Sequence, residues 1–555
     1  MTVTAEPKGP TGPMGPAPDD EQHPTEPLLP PSWAQRIAPP MPAGGWRGWL
    51  GPLIALVVAA ALRVPNLGRP RAFAFDETYY AKDGISLLQF GNEQQFVKDA
   101  NDIILNSDGN PWTVNPFAGG PEYVVHPPFG KWVIAAGEAV FGATPTGWRV
   151  GVLICGLIAV VLIARIVRRL LRSNLWGTVA GLLMALDGLA IVLSRTAVLD
   201  NVLMVCVLAA FGALLLDRDR VRRRVLAAGP AAWSSGSPRL GLLRPWRLVA
   251  AVMLGLACGV KWSGLWFVIG FGLLTVLWDL GLRRTLSARH PWRTTLLADA
   301  LPTALIWLVV IGAVYLATWT GWFLTDNGYY RDWAETAAAA GGVPSWLPPA
   351  LRSLLHYHLE ALKFHTNLTS PHSYGANPWG WPVQARPTSF YYETTEPCGS
   401  DKCAAEVLAL GNPLIWWAGV VALFHQVWRW LGRRDWRSGA ILCGFLAGWA
   451  PWLMFQERTV FEFYSIVFLP FTIMALTLSL AVLRGPGPKP DPAAAAAPRG
   501  LIHINPETRS LVGVTTVIVF LAATVAVSWW FYPIWTAQSI PYDLWNLRMW
   551  FPSWV

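Results

Sequence analysis

Residues 148–172 read WRVGVLICGLIAVVLIARIVRRLLR. Arg149 stands at one end, residues 150–164 carry no charge, and Arg165, Arg168, Arg169 and Arg172 close the other end. A helix on a soluble protein keeps a polar face for water, and this stretch has none before its basic end. A bilayer span needs roughly 20 mainly apolar residues with cations at the headgroups. The stretch therefore predicts a membrane-crossing helix over 148–170 whose Arg-rich end is cytoplasmic.

Working outward, similar runs occur at 47–63, 174–194, 199–216, 247–262, 263–282, 296–318, 413–431, 438–455, 462–484 and 510–532, for eleven expected spans. Whole-chain composition agrees. The 555 residues are 53% hydrophobic and 14% charged, with 33 Trp and a mean hydropathy of +0.36. Soluble domains carry about 25% charged residues. The expected class is an all-α integral membrane protein. The net charge of +9 does not read as a nucleic-acid surface, because the Arg residues sit in short links between apolar runs. Besides 165–172, they gather at 217–247 (eight Arg against Asp217 and Asp219), 283–293 and 429–437. Eleven spans with a cytoplasmic N-terminus put all four segments on the cytoplasmic side.

That topology sends two large loops, 64–147 and about 319–412, to the outer face, with the tail 533–555. Residues 131–142 are apolar but short and contain Glu138. A crossing there would invert every later Arg segment, so they are expected as a helix in the outer interface. Residues 1–45 are Pro-rich without a long apolar run and read as a disordered cytoplasmic tail. Residues 485–509 read as a Pro/Ala-rich cytoplasmic linker. Of six Cys, Cys398 and Cys403 share a polar outer loop. No second Cys/His pair accompanies them, so a short disulfide is favoured over metal ligation.

The first outer loop opens with Phe75-Asp76-Glu77-Thr78-Tyr79-Tyr80. Paired carboxylates at a membrane surface are either solvated or used, and a general base needs such a group. His126-Pro127-Pro128-Phe129-Gly130-Lys131 follows. Its prolines forbid regular helix, and His126 and Lys131 could meet a lipid phosphate or close a turn. Arg149, Arg195, Asp200, Lys261 and Arg458 converge on the same face in this topology. They bind an anion or pair internally, and a guanidinium at Arg458 suits phosphate as a planar fork. Asp187, inside an apolar run, demands a polar partner. In the second loop, Tyr374, Trp379 and His372 sit in a turn-rich frame that suits sugar or peptide contact, and Tyr79 of the first loop is expected to join them, with packing on the bilayer as the plain alternative. No Walker loop, nucleotide-binding GxGxxG or HExxH is present, so a donor must be membrane-borne.

Together these pieces resemble the protein O-mannosyltransferase family, membrane glycosyltransferases of the GT-C type. The resemblance is carried in order by the two motifs above, Gly147-Trp148-Arg149, Ser194-Arg195-Thr196-Ala197-Val198-Leu199-Asp200, Gly259-Val260-Lys261-Trp262-Ser263, Thr318-Trp319-Thr320-Gly321-Trp322-Phe323, Ser370-Pro371-His372-Ser373-Tyr374, Gly380-Trp381-Pro382, Arg458-Thr459-Val460-Phe461-Glu462-Phe463-Tyr464 and Leu547-Arg548-Met549-Trp550. It covers roughly 46–555. It implies inverting transfer of mannose from a polyprenyl-phosphate carrier to Ser or Thr hydroxyls of exported proteins, at the outer face of the plasma membrane. Asp76 becomes the base, Glu77 its support or the acceptor's guide, and Arg149, Lys261 and Arg458 the cations on the leaving phosphate. No metal or other cofactor is required. Coupling to a protein-export channel accompanies the family. Relatives in fungi and animals insert a β-trefoil domain into the second loop, so the match is to the shorter bacterial branch. The rivals are another lipid-phosphate-sugar transferase of the aminoarabinose or arabinofuranose type, and a non-enzymatic lipid-sugar transporter.

Overall fold

A computed structural model of the chain describes residues 37–42, 44–228, 244–336, 344–394, 397–485 and 506–555, with side chains from 510 onward in the last segment. The expected tail, save a few residues, and nearly all of the expected linker lie outside the described residues. So do residues 229–243 of the Arg-rich segment after the fourth expected span.

Every expected span is occupied by helix. In chain order the main helices are α1 (Arg47–Arg63), α2 (Glu77–Phe90), α3 (Phe129–Phe141), α4 (Pro145–Leu171), α5 (Asn174–Leu186), α6 (Gly188–Arg195), α7 (Leu199–Ala228), α8 (Pro245–Val260), α9 (Gly264–Thr285), α10 (Pro291–Thr318), α11 (Pro349–Asn367), α12 (Pro413–Arg433), α13 (Trp436–Trp449), α14 (Leu469–Arg484) and α15 (Pro506–Trp535). Among the described residues, α4, α7, α9, α10 and α15 are long and apolar enough to cross a membrane alone. The pair α5–α6, bent by 62°, makes a sixth crossing if counted as one. Length and composition thus support five or six crossings and leave the count of eleven without independent support. The other segments are short, such as the 16-residue α8 and α14, or carry polar residues mid-helix, as α12 does at His425 and Gln426.

Asp187 causes the α5–α6 break. Its Oδ1 accepts the Ala190 N–H at 3.0 Å and so caps α6, while Oδ2 takes the Asn412 N–H at 3.1 Å and the Trp416 indole N–H at 2.9 Å. A buried carboxylate is tolerable only with such partners, and capping a new helix supplies them at the cost of a straight span.

The most enclosed crossing is α7, with 78% of its apolar window buried against neighbours that include α4 and α8. Small residues allow close approach: a Cβ on Gly156 of α4 would stand 2.1 Å from Ser194 Oγ. By contrast, α10 is a rim helix with only 6% of its window buried.

The basic ends of several helices meet. Asp219 accepts Arg169 and Arg172, Asp217 and Asp279 share Arg244 and Arg247, Arg283 binds Asp299, and Asp435 binds Arg429 and Arg437. The Arg218 guanidinium lies 3.3 Å from the Trp436 ring centroid.

At the opposite end the two expected loops are folded. The first carries α2, an antiparallel pair β1 (Gln94–Phe96) and β2 (Phe117–Pro121), and α3. Residues 131–142 lie in the 13-residue helix α3, as a non-crossing helix requires. One face of it, including Lys131 and Glu138, is buried against α2 and α4. Glu138 is fully buried, and neither of its oxygens has a hydrogen-bond partner among the described residues. Burial, reinforced by Asp83, holds its pKa well above the carboxylate range. The second loop carries α11 and a sheet of order β3 (Thr388–Glu393), β4 (Cys403–Ala409), β5 (Ile540–Pro541). These strands are an addition to the expected helical fold. Cys398 and Cys403 are joined in a disulfide at the start of β4. The C-terminal tail is fastened to this loop through β5 and through Arg386, which donates to the Ser553 and Val555 carbonyls at 2.7 and 3.0 Å.

Candidate active site

Phe75 adopts φ +50°, a left-handed conformation costly for a bulky residue. It is held there by a box of rings: Phe390 stacks at 5.1 Å, and Phe461, Phe463 and His372 stand edge-on at 5.3, 5.7 and 5.9 Å. The turn delivers Asp76 to the N-cap position of α2, where its side chain caps no backbone N–H.

The two adjacent carboxylates have opposite surroundings. Glu77 is fully buried. It accepts Arg149 Nε at 2.8 Å and Nη2 at 2.7 Å, the Ala74 N–H at 2.8 Å and the Ala197 N–H at 2.8 Å. Arg149 spends its remaining donors on the carbonyls of Leu67, Pro70 and Ala72 at 3.0–3.1 Å. All five guanidinium N–H groups are thereby used. This corrects the phosphate-binding expectation for Arg149: a buried cation with no free donor ties the first loop to α4 and has nothing left for a ligand. Glu77, filled by the same bonds, has no carboxylate oxygen without a partner to guide an acceptor.

Asp76 is half-buried, with the Tyr80 hydroxyl beside it. Tyr80 sits four residues on, which places it over Asp76 on the same helical face. Burial pushes the Asp76 pKa up to about 6, with Asp200 adding to the rise and Lys261 and the Tyr80 hydroxyl opposing it.

Lys261 and Asp200, whose charges act on Asp76, line a pocket of about 330 Å³ with His126, His365, Arg458 and Tyr464 among its other polar residues. Lys261 Nζ lies 2.7 Å from Asp200 Oδ2 and 4.7 Å from the Tyr464 ring centroid. Arg458 Nη2 lies 3.1 Å from His365 Nδ1, and its guanidinium is 5.6 Å from the Trp452 ring. The His126 and His365 rings stack at 5.3 Å. Burial, then Lys261, His365, Lys131 and Arg458, hold His126 well below its ordinary pKa, so it is neutral. The pocket shares Trp262, Leu265, Ile269 and Leu362 with an apolar groove of about 1110 Å³ between α9, α10 and α11. The arrangement can hold an anionic headgroup attached to a long apolar chain, with a carboxylate of raised pKa alongside.

Four of the expected anion-site residues, His126, Asp200, Lys261 and Arg458, are thus brought together. Three are not. Arg149 serves Glu77. Lys131 is buried between Asp83 at 3.0 Å and Glu93 at 2.9 Å. Arg195 is spent on the carbonyls of Arg63, Pro65 and Asn66 at 2.5–2.9 Å. In each case a buried cation found local acceptors, which is cheaper than waiting for a ligand. Of the expected acceptor contacts, His372 packs 5.0 Å from Phe461 in the box around Phe75, and Tyr374 lies under Arg386 at 5.4 Å. Tyr79 and Trp379 are each 60% exposed. Sequence reasoning missed Tyr80 as a partner of Asp76, and missed His365 and Tyr464. The i, i+4 spacing could have found Tyr80, whereas nothing local marks His365.

Residues 125–232 match the dolichyl-phosphate-mannose-protein mannosyltransferase family, and residues 350–554 match the C-terminal four-TMM region of protein-O-mannosyltransferase. The polyprenol-phosphate-mannose–protein mannosyltransferase of Mycolicibacterium smegmatis (strain MKD8) is 38% identical, over 92% of this chain and 93% of that protein. Its namesake in Mycobacterium tuberculosis is 36% identical over 97% and 98%, and that of Corynebacterium glutamicum 34% over 83% and 88%. Among solved structures, the S. cerevisiae protein O-mannosyltransferase Pmt1-Pmt2 complex bound to the sugar donor superposes with a TM-score of 0.66 at 15% identity, covering 92% of this chain and 93% of that one. The fold is of the GT-C type, and the chain is a multi-pass membrane protein.

Proposed function

The chain belongs to the protein O-mannosyltransferase family, and from that premise we propose that it transfers mannose from polyprenyl-phosphate-mannose to Ser or Thr hydroxyls of exported proteins. Transfer takes place at the extracytoplasmic face of the plasma membrane. The observation carrying this reading is the pairing of a carboxylate of raised pKa with a cation-lined pocket that opens into an apolar groove.

The mannosyl phosphate lies in the pocket and the polyprenyl chain in the groove. Lys261 and Arg458 face the phosphate. The acceptor hydroxyl approaches from the side of Asp76, bordered by His372, Tyr374 and the exposed Tyr79 and Trp379. Its oxygen forms the new bond to the anomeric carbon as the bond from that carbon to the phosphate oxygen breaks. Asp76 takes the hydroxyl proton, and the electron pair leaves with the polyprenyl phosphate. A single displacement inverts the anomeric centre. Negative charge moves onto the departing phosphate, where fixed cations in a poorly hydrated pocket stabilise it more than water can. Those cations belong to the chain, so the reading asks for no divalent metal or other cofactor. The basic helix ends, with the N-terminus, face the cytoplasm under the positive-inside rule. Acceptors are met in extended form as they leave an export channel.

The test is to incubate the purified enzyme with polyprenyl-phosphate-mannose and a Ser/Thr-rich peptide. Mannosylated peptide with inverted anomeric configuration is expected. Transfer of mannose only to a glycolipid, or none to peptide, overturns the reading.

A further inference from the structure

α11 presents two histidines one heptad apart, His358 and His365, and their ring nitrogens are used in opposite senses. His358 Nδ1 lies 2.6 Å from the Leu354 carbonyl of its own helix, so it carries the proton, and Nε2 accepts the Tyr315 hydroxyl at 2.5 Å. His365 turns away from its own helix. Its Nε2 lies 3.0 Å from the Val125 carbonyl and its Nδ1 lies 3.1 Å from Arg458 Nη2. A guanidinium only donates and a carbonyl only accepts. The ring is therefore neutral with its proton on Nε2, and it links three separate parts of the chain: the segment before His126, α11, and the turn bearing Arg458.

Arg458 has few other restraints. The Nη2–His365 contact is the one hydrogen bond of its side chain among the described residues, and its buried Nε has no partner there. Among the described residues no carboxylate pairs with it, in contrast to Lys261 with Asp200. A long side chain with this freedom loses rotamer entropy when it grips a ligand unless something holds it beforehand. We infer that His365 is a positioning residue for donor binding: its Nδ1 lone pair holds the Arg458 guanidinium over the pocket while its Nε2–H fixes the ring to the Val125 carbonyl. Stacked on His126, the ring also presents an uncharged wall, so it orients the cation without competing for the phosphate.

The inference rests on the function proposed above. The test uses the full-length purified enzyme with polyprenyl-phosphate-mannose and a Ser/Thr-rich peptide. Two substitutions split the ring's two bonds. His365→Asn restores an acceptor near Nδ1, and His365→Gln restores a donor near Nε2 but leaves nothing for Arg458. His365→Gln and His365→Ala are expected to raise the donor KM about tenfold, the size expected for a hydrogen bond to a charged group, with little change in kcat or in the peptide KM. His365→Asn should recover most of that loss. In a cycle with Arg458→Ala, the double variant His365→Ala/Arg458→Ala should be no worse than Arg458→Ala alone. Equal loss in the Asn and Gln variants, or losses that multiply in the double variant, overturns the positioning role while leaving the function standing. A wild-type enzyme that mannosylates no peptide overturns the function and this inference together.

Discussion

The two ends of the helical assembly are built from the same side chains and treat them differently. At the basic end, most described carboxylates take two guanidinium groups: Asp217 and Asp279 share Arg244 and Arg247, Asp219 and Asp435 each accept two, and Asp299 takes Arg283 alone. At the other end, saturation and deficit stand side by side. Glu77 and Arg149 complete each other, whereas among the described residues the adjacent carboxylate, Asp76, has no ion-pair partner and a raised pKa, and Arg458 has a neutral histidine and the Trp452 ring but no carboxylate. A saturated buried pair holds helices together and does no chemistry. A pair of opposite charges kept apart and incompletely satisfied stores the capacity to bind and react.

The contrast breaks first if Asp76 proves replaceable. Asp76→Asn is expected to lower mannosyl transfer to peptide by about 10²–10⁴-fold, the range of a lost general base, without lowering the thermal midpoint of the detergent-solubilised protein. Transfer at the wild-type rate removes Asp76 from the mechanism. Next in size is Arg149→Met. Removing one partner of a fully buried pair costs about 3–5 kcal/mol, so folded yield and thermal midpoint should fall. A stable variant impaired only in donor KM would return Arg149 to the phosphate. The smallest effect is on pH. The reactive form of Asp76 is the carboxylate, so kcat/KM should rise as pH increases through about 6 and level off above it. The stability sign is opposite. Because the folded-state pKa lies above the ordinary 3.8, ionising Asp76 opposes folding, and its contribution to stability declines as pH rises from about 4 through 6. A profile flat across this range would mean that Asp76 is not the titrating base.

Much of this was legible from residue order. The stretch 148–172 becomes α4 with Arg149 at one end and the basic cluster at the other, because burial of an uncharged run needs no knowledge of its neighbours. Residue spacing left the Asp76–Glu77 pair open between a solvated loop start and a working group, and only the family resemblance singled out Asp76. Partner choice was not legible. Arg149 and Arg458 are chemically identical in sequence, and only the fold reveals that Glu77 consumes the first and that His365, 93 positions away, holds the second. The bend at Asp187 was hidden for the same reason: its partners Asn412 and Trp416 lie more than 200 residues on. Local pattern reports what a residue needs, while the source of its partner is a property of the packed chain.

The wall that pocket and groove share at Trp262, Leu265, Ile269 and Leu362 has a kinetic consequence. A carrier threading through it arrives by lateral diffusion and never crosses bulk water. Its effective concentration is then a mole fraction in the surrounding amphiphile, so diluting the donor with more detergent slows the enzyme, whereas adding buffer leaves the encounter rate per micelle unchanged.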